Sequence, residues 1–286
     1  MRKILKKAYE VLRSNLIIIQ PFVFYLLLLS VFLGSVHNIS EGTKPVLIIF
    51  LVSVFALSCA FLAGWLQLFQ AALRNSFKEA ESPIERTQMS LGILREFLPA
   101  VGRFFIPITI AVILYCGFFF GVMKLIVFLG LKYIGFTPNI TPDKVLGVLS
   151  DKAKMTAFVS ALTEADRAKL LRWDVLTLFM TGAFSYLTMF WFPAIMLNGE
   201  NAFKAFYSGV KATFGRPFTT LGIFSLYWVI NLSISLLGSI APSVFLVQIL
   251  NLMLVVFITV YFIMVNFVYF EEYSGNNIAG WTNIFR

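Results

Sequence analysis

Charged side chains are scarce in this sequence: Asp, Glu, Lys and Arg make up 13% of its 286 residues, about half the share usual in soluble domains. Histidine occurs once and cysteine twice, too few for a zinc cluster or a disulfide scaffold. The sequence also lacks both glycine-rich motifs that bind nucleotide phosphates. These absences argue against transition-metal enzymes and nucleotide-binding enzymes, and they predict no cofactor.

Apolar side chains are correspondingly abundant. They account for 59% of the residues and include 32 phenylalanines, and they occur in blocks that approach the roughly 20 residues needed to cross a bilayer. The pattern predicts an all-α, polytopic transmembrane helix bundle that forms a single integral membrane domain over residues 1–286. Six spans are expected, with boundaries near 16–36, 45–69, 104–131, 174–197, 218–240 and 243–270.

Amphipathic stretches separate several of these spans. A loop at 132–173 carries a cap and first-turn proline at Thr141-Pro142 and a capping box at Thr163–Asp166, which together predict an extramembrane helical hairpin. Its second helix is expected to run unbroken into the fourth span. Two further stretches repeat apolar residues at helical spacing and predict interfacial helices or short helices packed under the bundle: Leu91, Leu94, Phe97, Leu98 and Val101, and Phe203, Phe206, Tyr207, Val210 and Phe214.

Basic residues are distributed unequally between the two sides of the predicted bundle. Thirteen lie on the side of the N-terminus, not counting the C-terminal tail. The opposite side has Lys44 and seven more in the 132–173 loop, where acidic residues are interleaved with them. Because Lys and Arg translocate poorly against the membrane potential, this asymmetry predicts a plasma-membrane protein of the bacterial inner-membrane type with both termini in the cytoplasm.

The same basic side contains candidate ligands for lipid headgroups. Lys and Arg beside an amphipathic helix suit the surface of a membrane that contains anionic lipid. We therefore expect membrane lipids, rather than nucleic acid, to be the partners of the net positive charge, with a partner membrane protein or a second copy of the chain as a further candidate. The predicted headgroup ligands are Arg95, Arg103, Lys204, Lys211 and Arg216.

Polar residues inside the predicted spans are the other candidates for a binding site. Lys124 is the only charge well inside a span, where it can serve either a substrate path or the membrane interface. Asn231, Gln248 and Asn251 are predicted to line a polar cavity or, alternatively, to form hydrogen bonds between helices.

One segment resembles a known group of proteins. Residues Phe192–Ser208, followed by Gly215-Arg216, place a proline at the end of a span, an acidic residue after it and an amphipathic helix before the next span. This order is similar to that in the membrane domain fused to some glycerophosphodiester phosphodiesterases and in related six-helix families of uncharacterised membrane proteins. The catalytic barrel of the phosphodiesterases has no counterpart here, so the resemblance implies a membrane bundle that works near lipids and no phosphodiesterase activity.

Three functional hypotheses follow from these patterns. The leading one is a non-enzymatic inner-membrane protein that binds lipid or assists an envelope transport or assembly system. The second is a small-molecule transporter or permease subunit with a polar cavity in its C-terminal half. The third is a membrane-embedded enzyme that uses Lys124 with a nearby serine.

Overall fold

In the computed structural model, the described residues are 1–36, 44–76, 83–135, 152–240 and 245–275. They are almost entirely helical and contain no β-strand within those ranges, which confirms the all-α prediction. The helices, in chain order, are α1 (Arg2–Ser14), a 3₁₀ helix (Leu16–Ile18), α2 (Ile19–Val36), α3 (Lys44–Asn75), α4 (Pro83–Leu94), α5 (Phe97–Tyr133), α6 (Lys152–Ala161), α7 (Glu164–Thr188), α8 (Trp191–Asn198), α9 (Ala202–Gly215), α10 (Pro217–Ile240) and α11 (Phe245–Ser274).

Six helical stretches are long and apolar enough to cross a membrane, as predicted. Several extend beyond the predicted boundaries, because polar and charged residues at their ends continue the helix past the apolar block. The protein is therefore a polytopic, membrane-spanning helix bundle. The stretches are Leu16–Gly34, Pro45–Asn75, Phe97–Tyr133, Glu164–Asn198, Pro217–Gly238 and Leu246–Ser274.

The chain divides into two compact units, one formed by 1–112 and 187–286 and the other by 113–186. In the first unit, α11 contacts α1, α2, α3, α8, α9 and α10. Its aromatic residues form much of the core: the Phe267 ring stacks on Phe69 at 5.6 Å between centroids, and the Tyr269 ring stacks on Phe190 at 4.6 Å. This core holds the shorter helices in place around the end of α11.

The N-terminal basic segment forms an amphipathic helix, α1, which the sequence analysis did not predict. Its buried residues, Ile4, Ala8, Val11 and Leu12, recur at the spacing of one helix face. Asn15 ends the helix, since its side-chain amide donates to the Val11 carbonyl at 2.9 Å and so supplies a partner to a last-turn acceptor.

The predicted amphipathic stretch over 91–101 is wrong as a single helix. The chain turns at Arg95 and Glu96, where α4 has ended and α5 has not yet begun. A continuous helix would require an amide hydrogen at Pro99, which proline lacks. Starting α5 at Phe97 puts Pro99 in the first turn, where no such hydrogen bond is needed. Phe97, Leu98 and Val101 therefore belong to the membrane-spanning helix.

The fourth span is interrupted between α7 and α8. Pro193 cannot donate a hydrogen bond to the Met189 carbonyl four residues before it, and the helix breaks at Met189 and Phe190. The side chain of Asn266 on α11 donates to this carbonyl at 3.4 Å instead. An asparagine inside one span thus satisfies a backbone group that a proline releases in another, as membrane helices with proline require.

The second unit contains the end of α5, all of α6 and most of α7. Thr163 caps α7, since its hydroxyl accepts from the Asp166 amide at 3.2 Å, and α7 runs unbroken into the fourth span as predicted. Trp173 packs its ring on Gly130, and its indole N–H donates to the Gly135 carbonyl at 3.3 Å. The predicted hairpin start at Thr141-Pro142 lies outside the described residues.

Candidate functional site

The inner face of α9 consists of small side chains and lies very close to α8. Gly209 shows how close, because a Cβ atom at this position would lie 3.1 Å from backbone atoms of Phe190 and Trp191. The Trp191 indole N–H also donates to the Ala202 carbonyl at 2.8 Å. These contacts determine which side of α9 faces the protein. The buried residues of the helix are Ala202, Ala205, Gly209, Ala212 and Thr213.

The opposite side of α9 presents large aromatic and basic side chains away from the unit. Phe203 is 65% exposed, Tyr207 71% and Phe214 59%, and Lys204 and Lys211 are exposed among them. With about 3.6 residues per turn, these five residues fall within a sector of about 100°. We call them the α9 outer face: Phe203, Lys204, Tyr207, Lys211 and Phe214.

The five apolar residues that were predicted to share one side of this helix therefore differ in their exposure. Phe206 and Val210 are partly buried, and the Phe206 ring meets Trp191 edge-on at 4.8 Å between centroids. The other three predicted residues, Phe203, Tyr207 and Phe214, point outward. The helix is therefore packed on the bundle through its small residues, as the second alternative predicts, and its three outward aromatic residues are exposed.

Hydrogen bonds at both ends keep α9 in this orientation. At its start the Asn201 side chain accepts from the Lys204 amide at 2.9 Å, and the preceding turn uses Gly199 at φ 62°, a conformation that glycine adopts without strain. At its end the Thr220 hydroxyl donates to the Thr213 carbonyl at 2.8 Å, and the Tyr269 hydroxyl donates to the Ala212 carbonyl at 3.1 Å.

Two of the predicted headgroup ligands on or next to α9 form ion pairs at the helix ends. Lys204 Nζ lies 3.5 Å from Glu200 Oε1, and Arg216 Nη1 lies 3.7 Å from Glu272 Oε1. Among the described residues, the ammonium group of Lys211 makes no ion pair. Lys211 therefore contributes a full positive charge to the α9 outer face.

The two predicted arginines near the start of α5 occupy different surroundings. Arg103 is exposed, stacks on Phe104 at 5.0 Å and reaches the turn between α8 and α9, where its Nη2 lies 3.9 Å from a Cβ built on Gly199. Arg95 is exposed in the turn before α5. Arg103 is thus brought beside Gly199 in the turn that precedes Glu200.

A second polar group fixes the start of α5. Glu96 accepts from the side chains of Gln67, at 2.9 Å, and of Arg74, which forms a salt bridge with it. None of these three residues is among the predicted site residues. Their positions in the sequence gave part of the information needed to predict this contact. Gln67, Arg74 and Glu96 are all close to the end or the start of a predicted span, where a polar side chain can find a charged partner.

The N-terminal helix, α1, is joined to the C-terminal end of α11, which also carries Glu272. Lys7 Nζ lies 3.1 Å from Glu271 Oε2, and the side chain of Glu271 is only 6% exposed. The Tyr261 hydroxyl donates to the Leu5 carbonyl at 3.1 Å. Since Glu271 and Glu272 are adjacent, Lys7 and Arg216 meet consecutive residues of α11, and the basic segments of α1 and α9 lie at one end of the first unit.

The residues predicted to bind a substrate do not all meet. Gln248 donates to the Gly238 carbonyl at 3.3 Å, and Asn251 packs against the Cα of the same glycine. Asn231 instead donates to the Tyr227 carbonyl one turn earlier in its own helix, at 2.9 Å. Lys124 is exposed, with Nζ 5.4 Å from the centre of the Phe120 ring. Gln248 and Asn251 therefore lie in a contact between α10 and α11. The hydrogen bond of Gln248 is of the interhelical kind that the second alternative describes.

Asn251 offers a test of the packing between α10 and α11, because its buried Oδ1 atom has no hydrogen-bond partner among the described residues. The change Asn251→Leu removes this atom, and we expect the free energy of unfolding to stay level or rise by about 1 kcal/mol. The matched change Asn266→Leu removes the hydrogen bond to the Met189 carbonyl and should cost about 1 kcal/mol. Both are measured by unfolding in mixed micelles, and an equal loss in the two variants would contradict the prediction.

Metal ligands do not cluster in the part of the chain that the structure describes, where no group of three His, Cys, Asp or Glu side chains could hold an ion. Comparisons with models of protein families, with curated proteins and with solved structures found no match for this chain. The resemblance based on Phe192–Ser208 accordingly stays a prediction.

Proposed function

We propose that this protein is a non-enzymatic membrane protein that binds anionic lipid through the α9 outer face. The observation that carries the proposal is the orientation of α9. Its small residues face the protein, while its aromatic and basic residues face outward. A helix of this kind at the end of a membrane bundle lies at the depth of the headgroups, with its aromatic rings toward the acyl chains and its charges toward water and phosphate.

The charges around this face support anionic rather than neutral lipid. A Lys or Arg near an anionic membrane contributes about 1 kcal/mol, and Lys211 has no competing ion pair among the described residues. The Lys204 side chain is 70% exposed, whereas the side chain of Glu200, whose Oε1 lies 3.5 Å from Lys204 Nζ, is 12% exposed. The ammonium group of lysine has three donors, so a lipid phosphate can bind the exposed side of Lys204 while the contact with Glu200 remains.

The placement of the basic segments supports the orientation that we propose, with both termini in the cytoplasm of a bacterium. Lys7 and Arg216 lie at one end of the first unit through their contacts with Glu271 and Glu272. Basic residues gather on the cytoplasmic side of membrane proteins. A reporter fused after Arg286 should be active only in the cytoplasm; activity outside it would contradict this topology.

The function is tested by native mass spectrometry of the protein in nanodiscs of equal phosphatidylglycerol and phosphatidylcholine. The double variant Lys204→Gln/Lys211→Gln should retain roughly five- to tenfold less phosphatidylglycerol, as expected for two surface charges of about 1 kcal/mol each, one of them partly paired. The matched control Lys204→Arg/Lys211→Arg keeps both charges and should retain the wild-type amount.

Retention that is equal in the wild type and the double glutamine variant would refute lipid binding at this face. A protein subunit that stays bound to the wild type and leaves the glutamine variant would instead assign the face to a partner protein. That result would favour the role of an accessory to envelope transport or assembly and would also count against the lipid proposal.

A further inference from the structure

A cavity separates the N-terminal helix from α4. It has a volume of about 610 Å³ and opens to the surface of the first unit, a size in the range of about 300–1,000 Å³ that is typical of small-ligand sites. It lies where α1 ends, the 3₁₀ helix begins and α4 passes alongside. Its lining residues are Glu10, Arg13, Ser14, Leu16, Ile17, Thr87 and Ser90.

The lining combines one charge of each sign with three hydroxyl groups. Arg13 provides a guanidinium, which binds phosphate through two parallel hydrogen bonds. It makes no ion pair among the described residues. Glu10 provides a carboxylate. Its Oε1 lies 3.7 Å from Lys6 Nζ, and both of these side chains are largely exposed. Such a pair is weak, so the carboxylate is available to another cation.

The apolar part of the lining lies directly after the polar part in the chain. Leu16 is 51% exposed and, with Ile17, begins the first membrane-spanning stretch, Leu16–Gly34. Arg13 and Glu10 precede this stretch by about one and two turns of α1. The cavity therefore crosses the boundary between headgroup and acyl chain, where a bound lipid would place its phosphate beside Arg13 and its glycerol and first methylenes beside Leu16.

We propose that this cavity binds a zwitterionic headgroup of the phosphoethanolamine type, with the phosphate at Arg13 and the hydroxyls of Ser14, Thr87 and Ser90, and the primary ammonium at Glu10. The two charges of the lining sum to zero and match a ligand whose two charges also sum to zero. A headgroup that carries phosphate alone would place a second negative charge near Glu10, whose contact with Lys6 is a weak, exposed pair, and such a juxtaposition of like charges is unfavourable. The site deepens the proposed lipid-binding function and rests on it, but it differs from the α9 outer face, which is purely basic.

The test uses native mass spectrometry of the full chain in nanodiscs of equal phosphatidylethanolamine and phosphatidylglycerol. We expect one phosphatidylethanolamine to stay bound to the wild type in preference to phosphatidylglycerol. Arg13→Gln should reduce its retention by about tenfold or more, the loss expected for hydrogen bonds to a charged group. Glu10→Gln should remove the preference between the two lipids while some retention remains.

Two controls make the result specific to the cavity. Arg2→Gln removes an arginine of the same helix that is exposed and does not line the cavity, and it should leave both retention and preference unchanged. A second arm adds soluble glycerophosphoethanolamine to the delipidated protein in detergent and measures the thermal unfolding midpoint. If the soluble compound stabilises the protein through Arg13 and Glu10 but no lipid is retained in the first arm, the cavity binds a phosphoethanolamine group from a soluble molecule. That result would overturn the proposal that the ligand is a membrane lipid.

Equal retention of both lipids in the wild type and all variants would overturn the proposal. This failure can be told apart from a failure of the proposed function. If the loss of phosphatidylglycerol in Lys204→Gln/Lys211→Gln persists while the cavity variants show no effect, the α9 outer face binds lipid and the cavity does not.

Discussion

The change Lys7→Met is expected to lower the free energy of unfolding by about 3 kcal/mol, the lower end of the range for breaking a buried ion pair. The reason lies in its partner on α11, because Glu271 is buried and would be left without its cationic neighbour at 3.1 Å. We choose the lower end of the range because the Lys7 side chain is 38% exposed, so solvent screens part of the interaction.

The comparison of Lys7 with Lys6 provides the control on the same helix. Lys6 also pairs with a glutamate, but both side chains are more than half exposed, and Lys6→Met should change the free energy by less than about 1 kcal/mol. The double variant Lys7→Met/Glu271→Leu removes both charges and should recover most of the stability lost in the single variant. Unfolding is followed by circular dichroism in mixed micelles, and equal losses for Lys6→Met and Lys7→Met would refute the assigned role of the pair.

The change Gly209→Leu is expected to cost about 3–4 kcal/mol, at or above the upper end of the usual range for overpacking. A side chain at this position meets the backbone of Phe190 and Trp191, at 3.1 Å for the Cβ alone. Backbone atoms inside a packed helix pair cannot move aside as a flexible side chain can. The helix α9 would therefore shift away from α8, and the hydrogen bond from Trp191 to the Ala202 carbonyl would break.

This result is measured by unfolding and by the difference in total tryptophan emission between the variant and the wild type. Trp191, one of five tryptophans, is buried in the folded protein, and its contribution should shift to longer wavelength as it gains contact with water. Gly209→Ala should also lower the free energy of unfolding, but by less than Gly209→Leu, because it adds only the Cβ. The control is Tyr207→Leu, a change to the same residue on the exposed side of α9. If Tyr207→Leu costs as much as Gly209→Leu, the close approach of α8 and α9 does not determine the stability of this region.

Some features could be predicted from local sequence because they depend on neighbouring residues alone. Six spans follow from apolar runs of sufficient length, and the start of α7 follows from the capping box at Thr163–Asp166. The break before α5 was missed because the periodicity of Leu94, Phe97 and Val101 continues through it. The absent amide hydrogen of Pro99 was the local signal, and it was available in the sequence.

Other features could not be predicted, because they depend on which residues meet across the chain. Lys7 and Glu271 are 264 positions apart, and neither position alone indicates that a buried pair forms. The cavity of Glu10, Arg13 and Thr87 likewise requires α4 to lie beside the 3₁₀ helix. The set of Asn231, Gln248 and Asn251 was chosen by polarity, whereas the structure sorts these residues by the carbonyl that each one reaches or packs against.

The sequence by itself determined that this chain is an all-α membrane protein with a basic and aromatic helix before its fifth span. Only the tertiary structure decided which side of that helix faces outward. Hydrophobicity does not distinguish a protein neighbour from lipid, since both are apolar. The size of the side chains does, because only the small residues around Gly209 allow α9 to approach the backbone of α8 closely, and that approach leaves Phe203, Tyr207 and Phe214 on the surface.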